Sequence, residues 1–156
     1  MRAHRVRVQG SAMEDAGFNL RDIIAWMRVK APHRAQRLSC VYERRGDTLN
    51  AEKWNGWRVG NLQPTFEPIL WFSKPYKIGG TIADNAIIHG VGAYNQDAFV
   101  ARNGKPENVI TAGFSSNESG LHPTQKPVAL MKTLIELTTQ KGQLVIDLLV
   151  AVVLHW

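Results

Sequence analysis

Residues 124–147 constrain the fold of this chain more tightly than any other stretch. Across 128–139 the spacing of Met131, Leu134, Ile135 and Thr138, with Val128 at the N-terminal end, predicts an amphipathic helix. Thr124 is a fair N-cap, Pro127 is tolerated in a first turn, and Gly142 is placed as a C-terminal glycine. Gln143-Leu-Val-Ile-Asp147 then reads as a buried strand ending in a carboxylate. Helix, glycine, apolar strand and terminal acid make one unit of a doubly wound α/β sheet, whose functional crevice lies at the strands' carboxyl ends. The predicted fold class is therefore α/β.

The rest of the chain is read more coarsely. Ser11-Ala-Met-Glu14 has the form of a capping box, and Gly17 suits a helix end near Ala16. A longer version of that helix starts near His4 and carries Gly10 inside it. Residues 18–26 place Phe18, Leu20, Ile24 and Trp26 in alternation with a break at Asp22, which predicts a strand. Residues 38–42 and 69–72 are shorter strand predictions. Residues 29–37 and 43–61 are polar and basic and read as loop, and 79–121, rich in Gly, Asn and Ser, read as irregular. The sequence has no internal repeat and no low-complexity tract.

A chain of 156 residues suffices for one domain whose core needs neither disulfides nor metals. Cys40 has no second cysteine to pair with and no clustered histidines with which to hold a metal. Residues 1–7 lack the apolar core of a secretory signal, and no stretch reaches the roughly 18 apolar residues of a membrane span. The expectation is a soluble, cytoplasmic protein.

Charge is distributed unevenly. The net charge is +6, yet residues 1–78 carry 14 Lys/Arg against 7 Asp/Glu while residues 79–156 carry 5 against 6. A concentrated basic half favours a polyanionic partner, nucleic acid first. The candidate phosphate contacts are Lys30, Arg34, Arg37, Arg44, Arg45, Lys74 and Lys77, interleaved with Trp54, Trp57 and Tyr76. The competing reading is a solvated basic face over core tryptophans.

Three segments together resemble the amino-directed DNA methyltransferases, which methylate adenine N6 or cytosine N4. They are Leu62-Gln-Pro-Thr-Phe-Glu-Pro-Ile-Leu-Trp-Phe-Ser-Lys-Pro-Tyr-Lys77, His122-Pro-Thr-Gln-Lys-Pro-Val128 and Gly142-Gln-Leu-Val-Ile-Asp147. The first is similar to phage-type members, as is Glu14-Asp-Ala-Gly-Phe-Asn-Leu-Arg-Asp-Ile-Ile-Ala-Trp26. The resemblance runs from about Met13 to Asp147. It implies a partial Rossmann-like, S-adenosylmethionine-dependent methyltransferase domain over 1–156. In that domain 29–121 include the target-recognition region, 122–147 are the cofactor-side helix and strand, and 148–156 are an aberrant tail. It implies cofactor contacts from His122, Pro123, Thr124, Gln125, Lys126 and Asp147, with double-stranded DNA as partner. A helix N-terminus beside Lys126 suits the cofactor's carboxylate. Taken singly, Asp147 reads as an N-cap and His122 as a loop hydrogen bond; the neighbouring pattern favours the cofactor.

Two family features are missing. The family grips a flipped base with an Asp/Asn/Ser-Pro-Pro-aromatic motif. Here the prolines stand at 32, 64, 68, 75, 106, 123 and 127, no two adjacent, so no catalytic residue is assigned. The family also follows the strand-ending Asp with a glycine-rich turn that lets backbone approach the cofactor. Asp147 is followed instead by Leu-Leu-Val-Ala-Val-Val-Leu-His-Trp. Codons chosen for those nine residues, with one C restored ahead of them, read Pro-Phe-Gly-Ser-Gly-Ser-Thr-Thr-Leu. The expectation is a frameshifted, truncated methyltransferase gene with an internal start at Met1, its product inactive alone and adenine N6 the favoured target. The alternatives are a non-catalytic DNA-binding module, a split enzyme needing a complementary segment or a homodimer, and a decayed product.

Overall fold

In the computed structural model, which describes residues 2–31, 35–118 and 124–147, the chain runs α1 (Arg2–Asp15), β1 (Asn19–Arg28), β2 (Gln36–Arg37), α2 (Leu38–Arg44) and α3 (Thr48–Lys53). It continues through β3 (Arg58–Val59), β4 (Phe66–Ser73), α4 (Ile82–His89), α5 (Gln96–Asn103), β5 (Val109–Ala112) and α6 (Val128–Thr138). The class is mixed α/β, as predicted.

Strand β1 is the centre of a three-stranded sheet ordered β4-β1-β5, antiparallel to β4 and parallel to β5. Its alternation explains why: Ile24 and Trp26 are buried while Ile23, on the other face, is exposed. The break seen at Asp22 is a β-bulge, since the register shifts between Leu20 and Asp22. Bulging at Arg21 sends its guanidinium over the Trp71 ring, 5.2 Å from the centroid, and to the Gly92 carbonyl.

Helices α5 and α6 cover one face of this sheet. Phe99, Leu130 and Leu137 pack on Ile24, Trp26, Ile110 and Ala112, with Ile69, Trp71 and Leu134 at the margin. The helix predicted at 128–139 is present, but it turns differently. Its most buried residues are Leu130, Thr133 and Leu137; of the expected Met131–Leu134–Ile135–Thr138 face, Leu134 packs against the core and Thr138 is exposed. The two stripes are adjacent, and the Thr133 hydroxyl satisfies itself on the Ala129 carbonyl at 2.8 Å, so burying it costs little. Pro127, not Thr124, is the residue before the first turn, and no side chain caps it.

Arg102 on α5 and Glu136 on α6 form an exposed two-bond ion pair across the helices. Hydrogen bonding to Arg102 holds the Glu136 carboxyl below its ordinary value of 4.5. A depressed folded-state value contributes stability above the ordinary value and loses it as pH falls through the folded one. Glu136→Gln is therefore expected to lower the denaturation midpoint slightly at pH 7, with the gap to the parent closing as the pH drops well below 4.5.

Four sequence expectations about elements are corrected. Residues 43–61, read as loop, carry α3 and β3, because Asp47 caps a helix that its polar composition hid. Residues 38–42 are helical: Leu38, Val41 and Tyr42 stand at i, i+3 and i+4, so the short apolar run carries both periods, and α2 forms against α3. Residues 79–118, read as irregular, carry α4, α5 and β5, and Thr81, Gly90, Asn95 and Gly104 among them are helix caps; 119–121 lie outside the described residues. Thr81 and Asp84 close a capping box on α4 ending at left-handed Gly90, and Asn95 accepts from the Ala98 amide to start α5. Residues 143–147 form no strand; Leu144, Val145 and Ile146 are 82, 50 and 71 % exposed. A buried strand needs ladder partners, and among the described residues none lies beside this run. The N-terminal helix takes its longer form, with Gly10 inside α1.

Candidate functional site

The parallel strands β1 and β5 end together at Arg28 and Ala112. Just beyond, Gly113 passes so close to Val29 that a Cβ would lie 3.0 Å from Val29 Cγ2, so the two chains leave the sheet in contact. The Trp26 indole, 3 % exposed, donates from Nε1 to the Ala112 carbonyl at 2.9 Å and locks the ends in register.

Onto this end comes the segment leading into α6. The Lys126 ammonium lies 5.0 Å from the centre of the Trp26 ring and donates to Glu67 Oε2 at 2.6 Å. Glu67 is the cross-strand partner of Trp26 on β4, and its other oxygen accepts from Arg28 Nη1 at 3.1 Å. One carboxylate thus bridges two cations over a buried indole. Pro127, fully buried, seats the start of α6, and the Gln125 Oε1 atom is buried without a hydrogen-bond partner among the described residues.

The geometry sorts the predicted site residues. Thr124, Gln125 and Lys126 sit at the carboxyl end of the parallel pair, the end where open α/β sheets bind ligands. His122 and Pro123 lie outside the described residues. Asp147 lies on the exposed run that follows α6. Glu67 and Arg28 were not singled out by sequence reasoning, and Trp26 was read only as a strand residue. The available signal was the alternation that puts Trp26 and Glu67 on one face of paired strands.

Glu67→Ala is expected to remove the anchor of Lys126 and leave Arg28 without its carboxylate. At partial exposure the stability loss is about 1 kcal/mol. The sharper readout is faster amide hydrogen exchange in the first turn of α6, with Glu67→Asp intermediate.

The basic residues divide into two groups. Residues 35–60 form a small unit in which β2 and β3 pair antiparallel and close the α2–α3 pair. Its Asp47 caps α3 through the Asn50 amide at 3.0 Å, and Trp54 meets Trp57 edge-on at 5.6 Å. The segments that flank the unit are joined to each other beyond the carboxyl end of β1, where the Arg28 amide donates to the Thr65 carbonyl at 2.8 Å and Gln63 donates to the Ala31 carbonyl. Lys30, Arg37, Arg44 and Arg45 are all exposed on or beside it. Lys74 and Lys77 follow β4, which runs antiparallel to β1. Its eight residues put them roughly 25 Å away, at the opposite end of the sheet. Arg34 lies outside the described residues.

Among the described residues there is no cluster of His, Cys, Asp and Glu able to hold a metal ion, and no helix is long and apolar enough to cross a membrane.

The family model N6_N4_Mtase, described as DNA methylase, matches residues 1–150. The chain belongs to the DNA methylase family. The match takes in the β1–β4 pair, the 35–60 unit, the Lys126 bridge and the exposed 143–147 run. A curated relative, the "Type II methyltransferase M.HindIII" of Haemophilus influenzae, is 51 % identical over 150 residues, covering 93 % of this chain and 48 % of the relative. The chain thus spans about half the length of that relative. No solved structure matches it.

Proposed function

We propose that this DNA methylase chain contributes the target-recognition and cofactor-side part of a site-specific DNA methyltransferase. The enzyme transfers a methyl group from S-adenosylmethionine to an exocyclic base amine, adenine N6 in preference to cytosine N4. The domain is a partial Rossmann-like one over 1–156, with 29–121 including the region that meets double-stranded DNA. The observation that supports this reading is that the Lys126 segment sits on Trp26 near the carboxyl end of β1 and β5, the end from which the chain runs on into the basic 35–60 unit. A cofactor seated there faces a DNA surface supplied by the same chain.

The residues present fit the cofactor. Gln125 Oε1 is a buried acceptor lacking a donor, which suits the ammonium of a bound methionine moiety. Lys126 is charge-matched by Glu67, so its part is to hold the 124–127 segment in place on Trp26. His122, Pro123, Thr124 and Asp147 complete the proposed lining. When bound, S-adenosylmethionine supplies an electrophilic methyl group on its sulfonium. This chain has no adjacent prolines with which to grip the accepting amine. It is accordingly inactive alone.

The test is transfer of tritiated methyl from S-adenosylmethionine to mixed-sequence duplex DNA. Background counts are expected from the purified chain. Counts above background would overturn its inactivity, and the position of the label would separate adenine from cytosine.

A further inference from the structure

We infer that Trp57 is a base-stacking residue: its indole enters a base step of the bound duplex and stacks on a base there, while arginines of the same unit hold the phosphates. The inference rests on the proposed reading that residues 29–121 include the region that meets double-stranded DNA. Trp57 is 62 % exposed. Exposure alone means little, since single apolar residues are common on protein surfaces. Three further features set this tryptophan apart.

First, it is braced. The Trp54 ring meets it edge-on, its amide donates to the Trp54 carbonyl at 3.1 Å, and its own carbonyl accepts from the Leu38 amide at 3.0 Å. Left-handed Gly56 turns the chain immediately before it. An indole held this way, yet still largely exposed, loses little conformational freedom when it stacks on a partner.

Second, it extends a ribbon with two unlike faces. The Leu38 bond continues the β2–β3 ladder by one residue. Alternation therefore puts Trp57 and exposed Val59 on one face, and Arg58 with its cross-strand partner Arg37 on the other. A groove of duplex DNA offers base edges at its floor and phosphates along its walls. A ribbon with one apolar and one cationic face is matched to both.

Third, its charge is uncompensated. Arg37 and Arg58 are like charges directly opposite each other, which destabilises a ladder. Arg58 donates to the Ala35 carbonyl at 3.0 Å, and none of Arg37, Arg44, Arg45 and Arg58 forms an ion pair among the described residues. A polyanion alongside relieves that repulsion. A lipid surface is the poorer fit, because α2 and α3, at seven and six residues, are too short to lie along a bilayer as amphipathic helices.

The experiment measures binding of the full chain, by fluorescence anisotropy, to two duplexes alike in length and charge, one carrying a central abasic site. Stacking is already broken at that site, so the indole enters without the unstacking penalty. The abasic duplex should bind about tenfold tighter than the intact one. Trp57→Ala should abolish the preference and weaken binding to the abasic duplex about tenfold. The slope of log affinity against log salt should stay unchanged, since no phosphate contact is lost. Trp57→Phe should keep most of the preference. Leu49→Ala, at a residue 81 % exposed on the same unit, should alter neither affinity nor preference. All three variants are expected to retain the parent's circular dichroism spectrum.

Salt-dependent binding without preference for the abasic duplex, or with a preference that survives Trp57→Ala, overturns the inference and leaves the DNA-binding reading standing. A changed salt slope in Trp57→Ala overturns it too, since the residue then acts by holding the arginines in place. The absence of salt-dependent binding to either duplex sinks the DNA-binding reading, and this inference with it. Trp57-dependent binding to vesicles of phosphatidylcholine and phosphatidylglycerol, with no preference between the duplexes, reassigns the indole to a lipid surface.

Discussion

Trp26→Ala is expected to remove most of the cooperative unfolding of this chain. Trp26 is 3 % exposed near the carboxyl end of the central strand, and truncating a buried tryptophan costs about 3–5 kcal/mol in transfer and cavity terms. Its indole also satisfies the Ala112 carbonyl, and a buried acceptor left unpaired adds about 1–3 kcal/mol. Against the roughly 5–15 kcal/mol of an ordinary domain, that is most of the available stability. The described core is small: seven buried hydrophobic residues form its cluster, so little remains to compensate. Urea denaturation followed by far-ultraviolet circular dichroism should show a low, broad transition or none. Trp57→Ala, at a residue 62 % exposed, should shift the midpoint by no more than about 0.5 kcal/mol equivalent. Equal effects from the two tryptophans would mean that the core lies elsewhere.

Affinity for duplex DNA is expected to fall about 150-fold between 50 and 200 mM salt, with a log–log slope near −3.6. Each phosphate neutralised contributes about −0.9 to that slope. Of the candidate phosphate contacts, four described ones, Lys30, Arg37, Arg44 and Arg45, lie on or next to the 35–60 unit that follows β1, whereas Lys74 and Lys77 follow the far end of β4. If all six met one duplex the slope would approach about −5.4. Fluorescence anisotropy across a salt series distinguishes the two. Arg44→Gln and Arg45→Gln should each reduce the slope by about 0.9, and Lys74→Gln with Lys77→Gln should leave it unchanged. Loss from the β4 lysines alone would reverse the assignment of the DNA face. A slope near zero would leave the arginines as a solvated surface.

The two predictions have different roots in the sequence. Trp26 was legible because β1 alternates along a single strand and alternation is local. The basic residues were legible as a group by charge, but charge carries no direction. Only the antiparallel pairing of β1 with β4 sends Lys30 and Lys74 to opposite ends of the sheet.

The same distinction runs through the fold. By itself the sequence determined β1, the core of β4, the helix at 128–138 and membership of the DNA methylase family, because each is written in contiguous residues: an alternation, a helical stripe, a His-Pro-Thr-Gln-Lys-Pro run. Short segments were decided elsewhere. Leu38–Tyr42 fits a strand or a helix, and packing against α3 chose the helix. The face of α6 that goes inward was chosen by the sheet, which presents Trp26 and Ile110 to Leu130 and Leu137. Gln143–Asp147 has the composition of a buried strand and no neighbour to make it one, since a β-ladder is a property of two strands. The bridge from Glu67 to Lys126 and Arg28 joins positions up to 98 residues apart in the chain, as numbered. No local pattern encodes such a contact; it exists because the β1–β4 register puts Glu67 beside Trp26 and the packing of α6 brings Lys126 over the same ring.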